Sequence, residues 1–156
     1  KGGSVSVAIE VGALAHGDKA QTASGLTESL TNRLADDGLT VAPNSAVTIY
    51  AHYSEKPGNM ASSMMDRTKQ IQTTNGLIKL EWRGSDGQAI RSLQTTVNPS
   101  FVRVKEFTAA AYRNAMFEKA KTQLAACQLP YYIPSGSDQQ TLPGLTIYQQ
   151  PDPAGL

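Results

Sequence analysis

The chain has 156 residues, a formal net charge of +1 and only 17% charged residues, the size of one domain that can bury a core without staples. So weak a charge excludes a protein held on nucleic acid by many phosphate contacts. One cysteine excludes an intrachain disulfide framework and a cysteine-based zinc site, and no apolar run approaches the roughly 18 residues that a membrane-crossing helix needs.

Polarity comes from Ser, Thr, Gln and Asn rather than from charge, a composition commoner in secreted and envelope proteins. The first residue is Lys1 rather than methionine, from which removal of a leader or upstream region is expected. Residues 4–11 alternate strictly, with Val5, Val7, Ile9 and Val11 on one face and Ser6, Ala8 and Glu10 on the other. That period of two predicts a half-buried strand. After a connection over residues 12–17, Asp18 opens a helix as N-cap, and Gln21 completes a capping-box pattern. Leu26, Leu30 and Leu34 form its apolar stripe. Gly25 inside it costs about 1 kcal/mol against alanine, and is expected to mark a close approach of helix to sheet. Gly38 ends the helix in a left-handed cap, with Leu39 folding back onto the last turn.

A second strand is predicted over residues 46–53, with Val47, Ile49, Ala51 and Tyr53 inward and Thr48, Tyr50 and His52 outward. The strand–helix–strand order makes the first two strands a parallel pair joined by a right-handed crossover. The pattern then lapses over residues 54–66. Lys56, Pro57, Gly58 and Asn59 have turn chemistry, and Met60, Met64 and Met65 are expected to fill gaps at the core edge, with a mobile apolar lip as the alternative. Residues 67–73 are weakly strand-like, and Asn75-Gly76 predicts a tight turn. Residues 77–83 form a strand with Ile78, Leu80 and Trp82 inward and Lys79, Glu81 and Arg83 outward. The chain reverses over residues 84–87 and returns over 89–97, with Leu93, Thr95 and Val97 on the core face. Ile90 is out of step with Leu93, which predicts a bulge or a register slip near Arg91.

Asn98-Pro99-Ser100 breaks the strand, and Phe101, Val102 and Val104 lead into a long helix over residues 108–127. Its length is roughly 30 Å. Tyr112, Met116, Ala120, Leu124 and Cys127 share its apolar face, while Arg113, Glu118, Lys119 and Gln123 lie opposite. The stretch after Cys127 holds Pro130, Pro134, Pro143, Pro151 and Pro153, which excludes helix and central strand. It is also rich in Leu, Ile and Tyr, so the tail of residues 129–156 is expected to wrap over the domain of residues 1–128. Within it, residues 145–148 are expected to add a short edge strand.

Candidate chemistry is sparse. Cys127 is the one possible thiol nucleophile, with His16 or His52 as its base; the plainer reading is a small buried hydrophobe. His16, Gly17 and Asp18 precede a helix N-terminus, where backbone amides can hold an anion; the plainer reading is that Asp18 caps the helix. Asp36 and Asp37 are adjacent, diverge by about 100° on a helix and cannot clamp one ligand. Two distant histidines make no metal set, and none of the phosphate-loop, dinucleotide, zinc-protease or serine-hydrolase motifs occurs. No metal and no cofactor is expected. What remains is the outward face of the sheet, where Tyr50, His52, Lys79, Glu81 and Arg83 are expected to form a mixed polar–aromatic contact surface. An ordinary solvated face, with Glu81 in a cross-strand charge ladder, is the plainer alternative.

These elements compose an α+β two-layer sandwich: a mostly antiparallel sheet of four or five strands, two helices on one face and an irregular Pro-rich C-terminal tail. Their order over residues 4–127, with the hairpin of residues 77–93 around Asp86-Gly87, resembles small bacterial envelope modules. Examples are the outer-membrane lipopolysaccharide-assembly lipoprotein and the N-terminal domain of the Tol-system β-propeller protein. The resemblance implies a fold and an extracytoplasmic setting (periplasm, inner face of the outer membrane, or secreted) and carries no functional residue across. The expected function is a non-catalytic protein-binding or assembly domain of a larger envelope or secreted system, with a protein partner and no nucleic acid. The competing readings are a thiol-dependent hydrolase using Cys127 with His16 or His52, and a small-ligand carrier whose cavity is lined by the methionines.

Overall fold

The computed structural model describes residues 3–15, 17–63, 66–98 and 107–127. The elements in chain order are β1 (Ser4–Val11), α1 (Lys19–Asp36), β2 (Thr40–Val41), β3 (Thr48–Ser62), β4 (Gln70–Arg83), β5 (Ala89–Val97) and α2 (Ala109–Ala125). The strands form one five-stranded sheet in the order β2-β1-β3-β4-β5. β1 runs parallel to both β2 and β3, whereas β3, β4 and β5 are antiparallel. Both helices pack on one face, which gives the expected α+β sandwich. The expected sheet thus gains a parallel edge, because the two-residue β2 carries too little sequence to show a period.

Local chemistry explains the helix ends. The Asp18 side chain accepts the Gln21 amide at 2.8 Å, and α1 starts at the next residue. At the other end Gly38 has φ +77. The Leu39 amide returns to the Leu34 carbonyl and the Gly38 amide to that of Ala35, each at 2.9 Å. This pair of bonds is a Schellman cap, which needs a residue that tolerates the left-handed region. Thr108 caps α2 in the same manner as Asp18 caps α1, accepting from the Ala111 amide at 3.2 Å.

The core lies between helices and sheet. Leu26, Leu30 and Leu34 of α1 meet Ile49, Tyr53, Ile78, Leu80 and Trp82 of the sheet, and Met116, Ala120 and Leu124 of α2 close it. These are the stripes the sequence periods predict. Gly25 does serve a close approach, but to the other helix: a Cβ there would collide with the Phe117 ring of α2. Tyr112 pins α2 to the sheet, its hydroxyl accepting the Thr74 amide at 2.9 Å and donating to the Thr74 carbonyl at 3.1 Å.

The largest departure from expectation is the β3–β4 hairpin. The turn expected at Lys56–Asn59 does not form. β3 continues to Ser62, and the turn-type residues are absorbed as a register shift between Pro57 and Met60. Pro57 still pairs with Thr74, and by strand alternation its nitrogen faces away from β4, past Tyr53 where the pairing with β1 ends, so no ladder bond is lost. The turn expected at Asn75-Gly76 is also absent, for β4 runs unbroken from Gln70 to Arg83. Gly76 pairs with Glu55 and Val97. A Cβ on it would lie 2.9 Å from the Val97 Cβ and 3.2 Å from both Tyr53 and Met116. Its function is close packing, not reversal. Met60 is 60% exposed rather than a filler of the core edge, while Met64 and Met65 lie outside the described residues.

β5 holds its expected bulge. Arg91 pairs with Trp82 and Ala89 with Arg83, so Ile90 is the extra residue. Val97 is fully buried, whereas Leu93 on the same face is 38% exposed because β5 is the sheet's edge. The expectations for Phe101, Val102, Val104 and the tail of residues 129–156 fall outside the described residues.

Candidate functional site

Strand register decides what the outward face presents. Tyr50 pairs with Ala8 on one side and Glu81 on the other, His52 with Glu10 and Lys79, and Thr48 with Ser6 and Arg83. The expected residues Tyr50, His52, Lys79, Glu81 and Arg83 therefore occupy neighbouring positions on adjacent strands β3 and β4. Among the described residues, no helix lies over them. The loop of residues 42–47 touches only one corner, where the Ser6 hydroxyl donates to the Ala42 carbonyl and accepts the Ser45 amide, both at 2.9 Å.

Glu81 is the centre of this group. Its Oε1 lies 2.5 Å from Lys79 Nζ, and its Oε2 accepts from Arg83 Nε at 2.9 Å and from Nη2 at 2.5 Å. The partners flank it on its own strand rather than across strands, which corrects the expected cross-strand ladder. Glu81 retains only 9% exposure. The Lys79 contact, and after it the Arg83 contact, hold its carboxyl below the usual carboxylate range. The Arg83 guanidinium, steered by that carboxylate, sits 4.1 Å from the centre of the Tyr50 ring, within cation–π range. Two cations on one carboxylate leave the group a single net positive charge. The sequence showed that these side chains share a face. The stacking of Arg83 on Tyr50 follows from register, which the sequence does not specify.

The thiol reading finds no geometry with His52. Cys127 follows α2 on the helical side of the sheet and packs against the core, while His52 belongs to the opposite face. Burial pushes the Cys127 thiol up, and the nearby Arg33 only partly opposes this. A thiol so placed is a poor nucleophile at neutral pH. His16 lies outside the described residues. The anion reading at the start of α1 meets Asp18 already bound to the Gln21 amide. Asp37, at the other end, pairs with Arg33 at 2.7 Å. Among the described residues no cluster of three or more His, Cys, Asp or Glu could hold a metal ion.

A cleft of about 200 Å³ opens between the first turns of both helices and strands β3 and β4, lined by Tyr53, Glu55, Thr74, Tyr112, Arg113 and Phe117 among others. It is smaller than the roughly 300–1,000 Å³ of small-molecule sites, and of the methionines only Met116 reaches it among the described residues. Its polar groups already serve one another. Glu55 accepts the Tyr53 hydroxyl at 2.7 Å and the Ala15 amide at 3.0 Å, and burial pushes the Tyr53 phenol above its usual range. Glu55 escaped the sequence reading because it falls in the stretch where alternation lapses. The ligand-carrier reading receives no support from this cleft.

Fold and surface together define a small α+β sandwich with one helix-covered sheet face and one that, among the described residues, no helix covers. No protein-family model matches the chain, and no curated protein matches it at a significant level. Solved structures do. A Helicobacter pylori protein described as a homologue of a neuraminyllactose-binding hemagglutinin aligns over 78% of this chain and 82% of its own, at 16% identity and a TM-score of 0.50. A Xanthomonas campestris protein of the DUF330 family aligns over 80% of this chain and 81% of its own, at 14% identity and a TM-score of 0.50. A minor lipoprotein from Acinetobacter baumannii aligns over 77% and 88%, at 11% identity, with a TM-score of 0.37. At these identities the likeness concerns fold alone. The two matches at a TM-score of 0.50 share the α+β architecture, and no residue role crosses with it.

Proposed function

We infer that this chain is a non-catalytic, extracytoplasmic domain that binds another protein or assembles within an envelope or secreted system through its uncovered sheet face. The observation that carries the reading is the Tyr50–Arg83 stack held in place by Glu81. An aromatic ring and a guanidinium, fixed before any partner arrives, are the side chains that dominate protein contacts, and fixing them in advance lowers the ordering cost of association. Small neighbours such as Ser6, Ala8 and Thr48 keep the surrounding face low and accessible. The envelope setting is supported by the polar, weakly charged composition and by the bacterial fold relatives.

The test is photo-crosslinking in cells of the source organism, with a benzophenone amino acid at position 48, on the same face and paired with Arg83, or, as control, at the exposed Glu28 of α1. Discrete adducts from position 48 that are absent from position 28, and that disappear with Arg83→Ala, support the reading. Equal or no adducts at both positions refute it.

A further inference from the structure

The two ends of the sheet differ in how their backbone is guarded. β5 is guarded: it carries a bulge at Ile90, Arg91 is exposed, and the Thr96 carbonyl takes the Gln123 amide at 3.0 Å. Such devices discourage further pairing. β1 exposes the charged Glu10 but has no bulge and no side chain bonded to its outward backbone among the described residues. The Ser6 amide donates to the carbonyl of Val47, just before β3, and the Gly12 amide to that of Tyr53 in β3, so by strand alternation the amides of Val7, Ile9 and Val11 face away from β3. β2 pairs only with Ser4 and Val5, and the chain leaves after Ala42, whose amide reaches the Val5 carbonyl. Among the described residues nothing is hydrogen-bonded to the outward backbone of Val7, Ile9 and Val11.

The slot beside residues 7–11 is roughly 17 Å long and is closed at its lower end by Thr40 and Val41. A second copy's eight-residue β1 centred between Val7 and Ala8 would run its end into that stub, and only a pairing shifted toward Val11 would avoid it. A short strand from elsewhere fits without conflict. We propose that residues 145–148 of the same chain fill the slot as a sixth strand against Val7, Ile9 and Val11. The sequence there is Leu145, Thr146, Ile147 and Tyr148, uncharged and rich in strand-forming residues. In a strand, Leu145 and Ile147 share one face and Thr146 and Tyr148 the other. Leu145 and Ile147 then extend the apolar row of Val7, Ile9 and Val11 beneath α1, and Thr146 and Tyr148 extend the polar row of Ala8 and Glu10. Residues 128–144 supply the tether, about 55 Å when extended, more than the span of a small domain.

Hydrogen exchange on the full chain tests this. The amides of Val7, Ile9 and Val11 exchange slowly in the parent. In Ile147→Pro or Thr146→Pro they exchange at least about tenfold faster, while the Leu30 amide in α1 is unchanged. Both prolines are needed because only one of the two amides faces β1. Fast exchange at all three positions in the parent overturns the proposal. So does protection that survives both prolines; if that protection then falls on dilution, a second copy occupies the edge instead.

Discussion

Replacing Gly76 by alanine tests the packing of the sheet most directly. In an ordinary strand the change would add about 0.5–1 kcal/mol of stability, because glycine loses more freedom on folding. Gly76 is not in the left-handed region occupied by Gly17, Gly38 and Gly87, so alanine meets no backbone strain. The obstacle is space. The new methyl would sit 2.9 Å from the Val97 Cβ, with Tyr53 and Met116 each at 3.2 Å, and all three neighbours are at most 2% exposed. Val97 is the cross-strand partner, and its Cβ is fixed to the backbone, so no rotamer change relieves the contact. Overpacking of this kind costs roughly 1–3 kcal/mol, and the expected net effect is a loss of about 1–2 kcal/mol. Urea denaturation followed by the fluorescence of Trp82, the only tryptophan and 1% exposed, measures it with an unchanged slope. Gly76→Ala combined with Val97→Ala is expected to lose about 1 kcal/mol less than the sum of the two single changes. A Gly76→Ala protein as stable as the parent, or strict additivity, would refute the account.

Leu124→Ala, at a position 1% exposed in α2, is expected to cost about 2–5 kcal/mol; a loss below about 1 kcal/mol means the stripe is not buried. Tyr112→Phe strips both partners from the backbone of Thr74, itself 3% exposed. It should cost about 1–3 kcal/mol by the same urea assay, whereas no change would show that water replaces the hydroxyl. Glu81 has a folded-state pKa below its unfolded value because of Lys79 and Arg83, so its contribution is complete above about pH 5 and fades as pH falls through the folded value. Stability of Glu81→Gln should therefore fall less steeply than the parent's below about pH 5; parallel profiles sink that assignment. Cys127, its thiol raised by burial, should react with a disulfide reagent more slowly in the native protein than in urea, and equal rates would contradict its packing.

Much of this molecule is local, and local features were legible in the sequence. Alternation over residues 4–11 and 77–83, the leucine stripe of α1, the Asp18 and Gly38 caps, and the bulge at Ile90 each follow from a few neighbouring residues and their intrinsic geometry. So did membership of the uncovered face, since a period of two sends Tyr50, His52, Lys79, Glu81 and Arg83 to one side. What the sequence could not determine depends on partners distant in the chain. Asn75-Gly76 has the composition of a turn, but Val97 and Met116 make Gly76 a point of close packing inside a long strand. Pro57 and Gly58 look like a chain reversal until the pairing of β3 with β4 absorbs them as a bulge. β2 is a strand only because β1 lies beside it. The Arg83–Tyr50 stack arises because register puts Glu81 beside Tyr50 and the Glu81 carboxylate steers Arg83 over the ring; a slip of one residue would send Glu81 to the other face. Periodicity selects the face of each element, and only tertiary pairing selects the neighbour.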